Sequence, residues 1–203
     1  MGLFSFLKSD KPSYSDKIWR NHDMALRGMI TDAMLAITRK EIPVVICFFE
    51  EELKTVIQFL SAKGVPFLHV SERLTEVPDA VCVVSVTHIP EFISAIQAKT
   101  EFLFYGHYPL PSKEEALLKK LEAHRPTAPI RFYSSLDEPS LKIFGGEKIG
   151  ELLDKLGMKE DEAIEHDFVS RAMKRAREKV ELKVRTEVAA PSEPEWFARN
   201  MKI

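Results

Sequence analysis

The stretch VVICFFEEELKTVIQFLSAKG, residues 44–64, decides the fold. Val44 to Phe49 form an apolar run of strand composition without polar alternation, as expected of a parallel strand covered on both faces. The period then changes. Leu53, Val56, Ile57 and Leu60 fall on one helical stripe, and Gly64 stands where a left-handed residue would cap a helix. A buried strand feeding an amphipathic helix is the repeating unit of an α/β sheet.

The unit recurs downstream. VPFLHV (65–70), DAVCVVSV (79–86), EFLFYG (101–106) and APIRFYS (128–134) read as strands, with HIPEFISAIQAK (88–99) and SKEEALLKKLEAH (112–124) as helices. Upstream, Asp16 to Arg39 reads as one helix, carrying Trp19, Met24, Leu26, Ile30, Met34 and Ile37 at turn-compatible spacing. Beyond residue 136, LDEPSLKIFGG is short and irregular or helical. EKIGELLDKLG (147–157) is a compact helix stopped by Gly157, and a long helix runs from Asp167 into the 180s. Pro191 and Pro194 break helicity in the tail, leaving a docked arm or a projection. The predicted fold is a three-layer α/β domain, its mostly parallel sheet flanked by helices on both faces, with a long C-terminal helix. Its parts are an arm (1–15), the α/β domain (16–157), a linker and amphipathic helix (158–190) and a tail (191–203).

Composition sets bounds. A chain of 203 residues, 45% hydrophobic and 30% charged, can bury a core, and a net charge of -2 names no partner. Cys47 and Cys82 sit in apolar contexts suited to a reducing compartment, although neighbouring strands leave a disulfide open. The start, MGLFSFLKSDKP, is too short for a membrane span and lacks a signal-peptide pattern. Leu3, Phe4, Phe6 and Leu7 are either a peripheral membrane contact or an arm packed on its own domain. A cytoplasmic location is expected.

No phosphate-loop motif is present, and the Gly-Gly of FGGEKIGE reads as a turn. His69, Thr87, His88 and His107 follow strands, where α/β proteins place ligands, so they are candidates for a small-ligand or nucleotide site alongside Phe49 and Ser85. Glu165 and His166 are adjacent but do not face each other on a helix. Asp167 is the expected cap of the helix from Phe168. That helix presents Val169, Ala172, Met173, Ala176 and Val180 on one face. Arg171, Lys174 and Arg175 point away and Arg177 flanks the stripe, a pattern open to nucleic acid, to lipid or a partner's groove, or to packing on its own domain. Interspersed Glu178 and Glu181, with no interleaved aromatics, weigh against nucleic acid. Catalytic and metal roles are assigned to no residue, and no cofactor is implied.

One stretch carries a resemblance. LKIFGGEKIGELLDKLGMKEDEAIEHDFVSRAMKRAREKVE (141–181), with RFYSSLDEPSL (131–141) before it, resembles the segment of the SecA preprotein translocase motors that leaves their second nucleotide-binding domain and enters the scaffold helix. KEIPVVICFFEEELKTVIQFLSAKGVPFLHV (40–70) looks like the opening of that same domain. The resemblance implies a RecA-like helicase lobe. It also exposes departures: VVSVTHIPEF (83–92) stands where the family senses nucleotide, and KKLEAHRPTAPI (119–130) stands where it carries its arginine finger. The implied function is a non-catalytic SecA-like accessory domain that binds a protein partner or a second copy. Val169, Met173, Val180, Trp196 and Phe197 are the expected contacts.

Overall fold

A computed structural model describes residues 14–70, 79–95, 99–144, 149, 159 and 161–201. Six strands form one sheet in the order β1-β6-β5-β2-β4-β3, every pair parallel. They are β1 (Ser15–Trp19), β2 (Ile42–Cys47), β3 (Phe67–His69), β4 (Val81–Ser85), β5 (Thr100–Tyr105) and β6 (Ile130–Ser135). Helices α1 (His22–Thr38) and α2 (Glu50–Lys63) cover one face, while α3 (Ile89–Ala95) and α4 (Pro111–His124) cover the other. The three-layer class predicted from the sequence is the one adopted.

Strand alternation divides the core. Val44, Ile46, Phe102, Phe104 and Phe132 face α3 and α4, whereas Val45, Cys47, Leu103 and Tyr133 face α1 and α2. Cys82 lies on the first face and Cys47 on the second, so the disulfide left open by the sequence is excluded and both thiols are free. Gly64 caps α2 in the left-handed conformation, φ 64°.

The helix expected over Asp16 to Arg39 is corrected at its start. Ser15–Trp19 is a strand, paired with β6 from Ser15↔Arg131 to Trp19↔Ser135, and α1 begins at His22 with Asn21 accepting from Met24 N at 2.9 Å. Period two wins because neighbours serve opposite faces. Ile18 packs with Ile164, Val169 and Met173, while Trp19 packs with Met29 and stacks on Tyr133 at 5.8 Å. The outer edge of β1 is closed by an antiparallel bridge between Ile18 and Ile164, which removes an exposed strand edge.

After α5 (Pro139–Phe144), the chain reaches α6 (Asp167–Glu181) and α7 (Glu193–Asn200). The helix expected over 147–157 lies outside the described residues apart from Ile149, which is buried. The arm residues Leu3, Phe4, Phe6 and Leu7 lie outside them too. The cap of α6 is His166, whose Nδ1 accepts from Phe168 N at 3.1 Å, and Asp167 is already helical, a second correction. Pro194 is a third: it sits in the first turn of α7, where its missing N–H costs nothing, and opens a helix rather than breaking one. The tail is docked. Trp196 Nε1 donates to Glu187 at 2.7 Å, Asn200 closes on Val188, and Glu51 N donates to Pro191 O at 3.0 Å.

Helix α6 is fastened by buried charge. Arg177 donates to Glu114 Oε2 at 2.9 Å and to Tyr108 O at 3.2 Å, and His107 Nδ1 meets the same carboxylate oxygen at 2.9 Å. His107 Nε2 lies 3.3 Å from Asp16. Burial alone would raise Glu114, but His107 and Arg177 hold it down to about 2. Burial and Arg177 would lower His107, yet Glu114 and Asp16 raise it to about 9.

Two predictions test these contacts. A Cβ built on Gly28 of α1 would lie 2.2 Å from Trp19 Cζ2. Gly28→Ala should therefore destabilise by roughly 2 kcal/mol in urea unfolding, overpacking outweighing the gain of about 1 kcal/mol in helix propensity. For the charge cluster, His107 contributes fully below its unfolded value of 6.5 and loses that contribution as pH rises through about 9. Glu114 contributes fully above its unfolded value of 4.5 and loses it as pH falls through about 2. The cluster's stabilisation should be flat from 4.5 to 6.5 and decline on both sides. Arg177→Met should cost about 3 kcal/mol, and pairing it with Glu114→Gln should restore part of the loss.

Candidate functional site

Parallel strands all point their carboxyl ends one way, and ligand crevices of α/β proteins form at that edge. Here a cavity of about 930 Å³ opens among the ends of β5 and β6, the first turns of α1 and α2, the start of α5 and the tail helix α7. Tyr105, Ile143, Phe197 and Met201 give it apolar walls, and Glu51, Glu52, Asp137, Glu138 and Glu193 give it carboxylates.

These carboxylates are not equivalent. Glu52 reaches back from α2 so that one oxygen accepts from both Phe48 N and Phe49 N at 3.2 Å, while burial raises its pKa to about 8. Burial also raises Glu138, against the pull of His107 and Arg177. Glu193 is raised well above the ordinary value by burial and by the charges of Glu138 and Glu52. Like charges in a poorly hydrated space oppose one another's ionisation. The cations on the wall are spent or neutral: Lys142 pairs with Asp137 at 3.0 Å, and burial lowers the pKa of His22, which contacts Ser135 Oγ at 3.2 Å.

The first turn of α2 is where this edge would greet an anion, because unpaired N–H groups and the helix dipole favour negative charge there. In this chain the acceptors are internal. Glu52 takes the N–H groups of Phe48 and Phe49, Pro191 O takes that of Glu51, and Glu50, Glu51 and Glu52 crowd the turn.

The four ligand candidates do not converge. His69 is exposed at the end of the edge strand β3. Thr87 and His88 are exposed beyond β4, where Thr87 hydrogen-bonds Ser85 at 3.0 Å and approaches His88 Nδ1 at 3.4 Å. His107 is buried in the α6 charge cluster and stacks on Phe132 at 4.2 Å. None of the four lines the cavity. The expected partner contacts are internal as well. Val169 and Met173 pack on Ile18 and Leu141, and Val180, Trp196 and Phe197 pack on Phe49 and Leu110. Arg177, counted among the basic residues open to nucleic acid, is consumed by Glu114.

Sequence reasoning missed Glu52, Glu138 and Glu193. The triple glutamate at 50–52 reads as ordinary helix-start charge, and Glu138 and Glu193 lie in separate segments with no common motif. Among the described residues, no group of three or more His, Cys, Asp or Glu could hold a metal ion. No described helix is long and apolar enough to cross a membrane.

No protein-family model matches the chain. Over 51 residues, 25% of its length, it is 53% identical to the protein translocase subunit SecA of Acidithiobacillus ferrooxidans and of Desulfotalea psychrophila, and 55% identical to that of Dechloromonas aromatica. Each match spans 6% of the relative's length. Two solved structures are similar at a TM-score of 0.43. One is the C-terminal domain of a possible DNA helicase from Lactobacillus plantarum, 10% identical over 60% of this chain and 72% of that one. The other is the C-terminal part of the Fun30 ATPase domain, 13% identical over 76% of this chain and 54% of that one. The chain thus shares a quarter of its length with SecA at about half identity, within an all-parallel α/β fold.

Proposed function

We propose that this chain is a RecA-like, helicase-type domain related to SecA that does not hydrolyse ATP and acts in the cytoplasm by binding a protein partner, with the translocation machinery as first candidate. The observation that carries the non-catalytic reading is the entry to α2, where Glu52 accepts from the Phe48 and Phe49 N–H groups just before the helix and Pro191 O accepts from Glu51 N in its first turn. A triphosphate brought to this edge meets carboxylates where a motor needs donors and cations. The kinship in sequence with SecA supports the assignment to translocation.

Because the apolar stripe of α6 is internal, the surface left to a partner is its outer side. Phe168 is 47% exposed there, and Arg171, Lys174 and Arg175 are exposed around it. A basic face with one aromatic suits an acidic protein surface, and such contact weakens as salt rises.

The test uses the full chain with a purified SecA protein from the same cell. Expected are no phosphate release from ATP above the blank and salt-sensitive binding to SecA, which Arg171→Glu/Arg175→Glu weakens about 10-fold or more. ATP turnover by this chain would overturn the non-catalytic reading. Absence of SecA binding at low salt would overturn the translocation assignment.

A further inference from the structure

The cavity holds a buried acid without a well-formed hydrogen bond. Glu138 is 2% exposed and lines the cavity, and neither of its carboxylate oxygens makes a hydrogen bond of good geometry, although the Ser134 hydroxyl lies close by. His107 and Arg177 act on it through space, but their own bonds go to Glu114, Asp16 and Tyr108. A carboxyl group removed from water without a partner is costly, and the cost disappears when a ligand supplies donors. Glu193, on the docked tail helix, and Glu52, on α2, bring two more carboxyl groups to the same space.

We propose that this cavity is a receptor for an organic cation, a guanidinium or primary ammonium on an apolar stem, held by the carboxylates of Glu52, Glu138 and Glu193. Three features define the ligand. Its charge is positive, because Lys142 is already paired and the N–H groups of Phe48, Phe49 and Glu51 at the entry to α2 are given to internal acceptors. It is organic, because no group of three or more ligating side chains among the described residues is arranged to hold a metal ion. Its body is apolar, because Tyr105, Ile143, Phe197 and Met201 form the rest of the wall. The cation is either a free small molecule or the arginine or lysine side chain of a peptide. A planar guanidinium makes paired bonds to a carboxylate and is the better fit to several of them. The inference stands apart from the partner reading, since a free cation would enter whether or not α6 meets a protein.

The experiment is a titration of the full chain at pH 8 with agmatine, an uncharged urea analogue of similar length (butylurea), and a short peptide whose one charge is an arginine side chain, followed by thermal shift and calorimetry. Agmatine at saturation should raise Tm by about 3 °C or more, and the urea analogue should not. Glu138→Gln and Glu193→Gln should each hold or raise the ligand-free Tm, because a neutral amide replaces a buried carboxyl whose ionisation is costly, so loss of folding does not confuse the result. Each should also weaken agmatine binding about 10-fold or more. Tighter binding of the peptide than of agmatine identifies a partner's side chain as the cation, and the reverse identifies a free molecule. No response to agmatine or the peptide, or a response undiminished in both variants, overturns the proposal. Either result leaves the ATP and SecA measurements to judge the partner reading separately.

Discussion

Three stretches distant in sequence, around residues 16, 107–114 and 177, meet in one buried charge cluster. Glu114 on α4 receives Arg177 from α6 and His107 from the turn after β5, and His107 reaches Asp16 at the start of β1. Charges withdrawn from water must satisfy one another, and removing one leaves the others exposed to the full desolvation cost. The rotation of α6 follows from that requirement. With Arg177 directed inward, Val169, Met173 and Val180, three, four or eight positions from it, must also face the domain, and Arg171, Lys174 and Arg175 are left in solvent.

The seating of α6 governs what happens at the carboxyl edge. Val180 contributes to the apolar cluster that receives Trp196, Phe197 and Met201, so the tail helix packs where α6 ends. That docking brings Pro191 O to the first turn of α2 and Glu193 to the cavity wall. An edge that in many α/β folds offers donors to an anion therefore offers acceptors to a cation. The docked tail adds Glu193 to a wall that already carries Glu51 and Glu52 after β2 and Asp137 and Glu138 after β6.

Much of the layer architecture was legible because buried parallel strands are apolar on both faces and their helices carry one stripe. Residues 44–64 show both patterns in a single stretch. The strand Ser15–Trp19 was not legible, since Asp16, Lys17, Ile18 and Trp19 suit a helix locally and the pairing with β6 joins residues more than a hundred positions apart. The same holds for the cavity. Glu138 and Glu52 look like ordinary helix-flanking acids until β6 and β2 bring their ends together.

The amino-acid sequence by itself determined the α/β class, the amphipathic stripe of α6, the cap at Gly64 and the kinship with SecA, because each depends on local periodicity, one backbone conformation or a contiguous signature. Tertiary structure alone decided that the stripe is internal, that Arg177 is an interior cation, that His107 is a structural member of a charge cluster and that the carboxyl edge is acidic. Those outcomes depend on desolvation and on charges meeting across long separations, and neither quantity exists until the chain has folded.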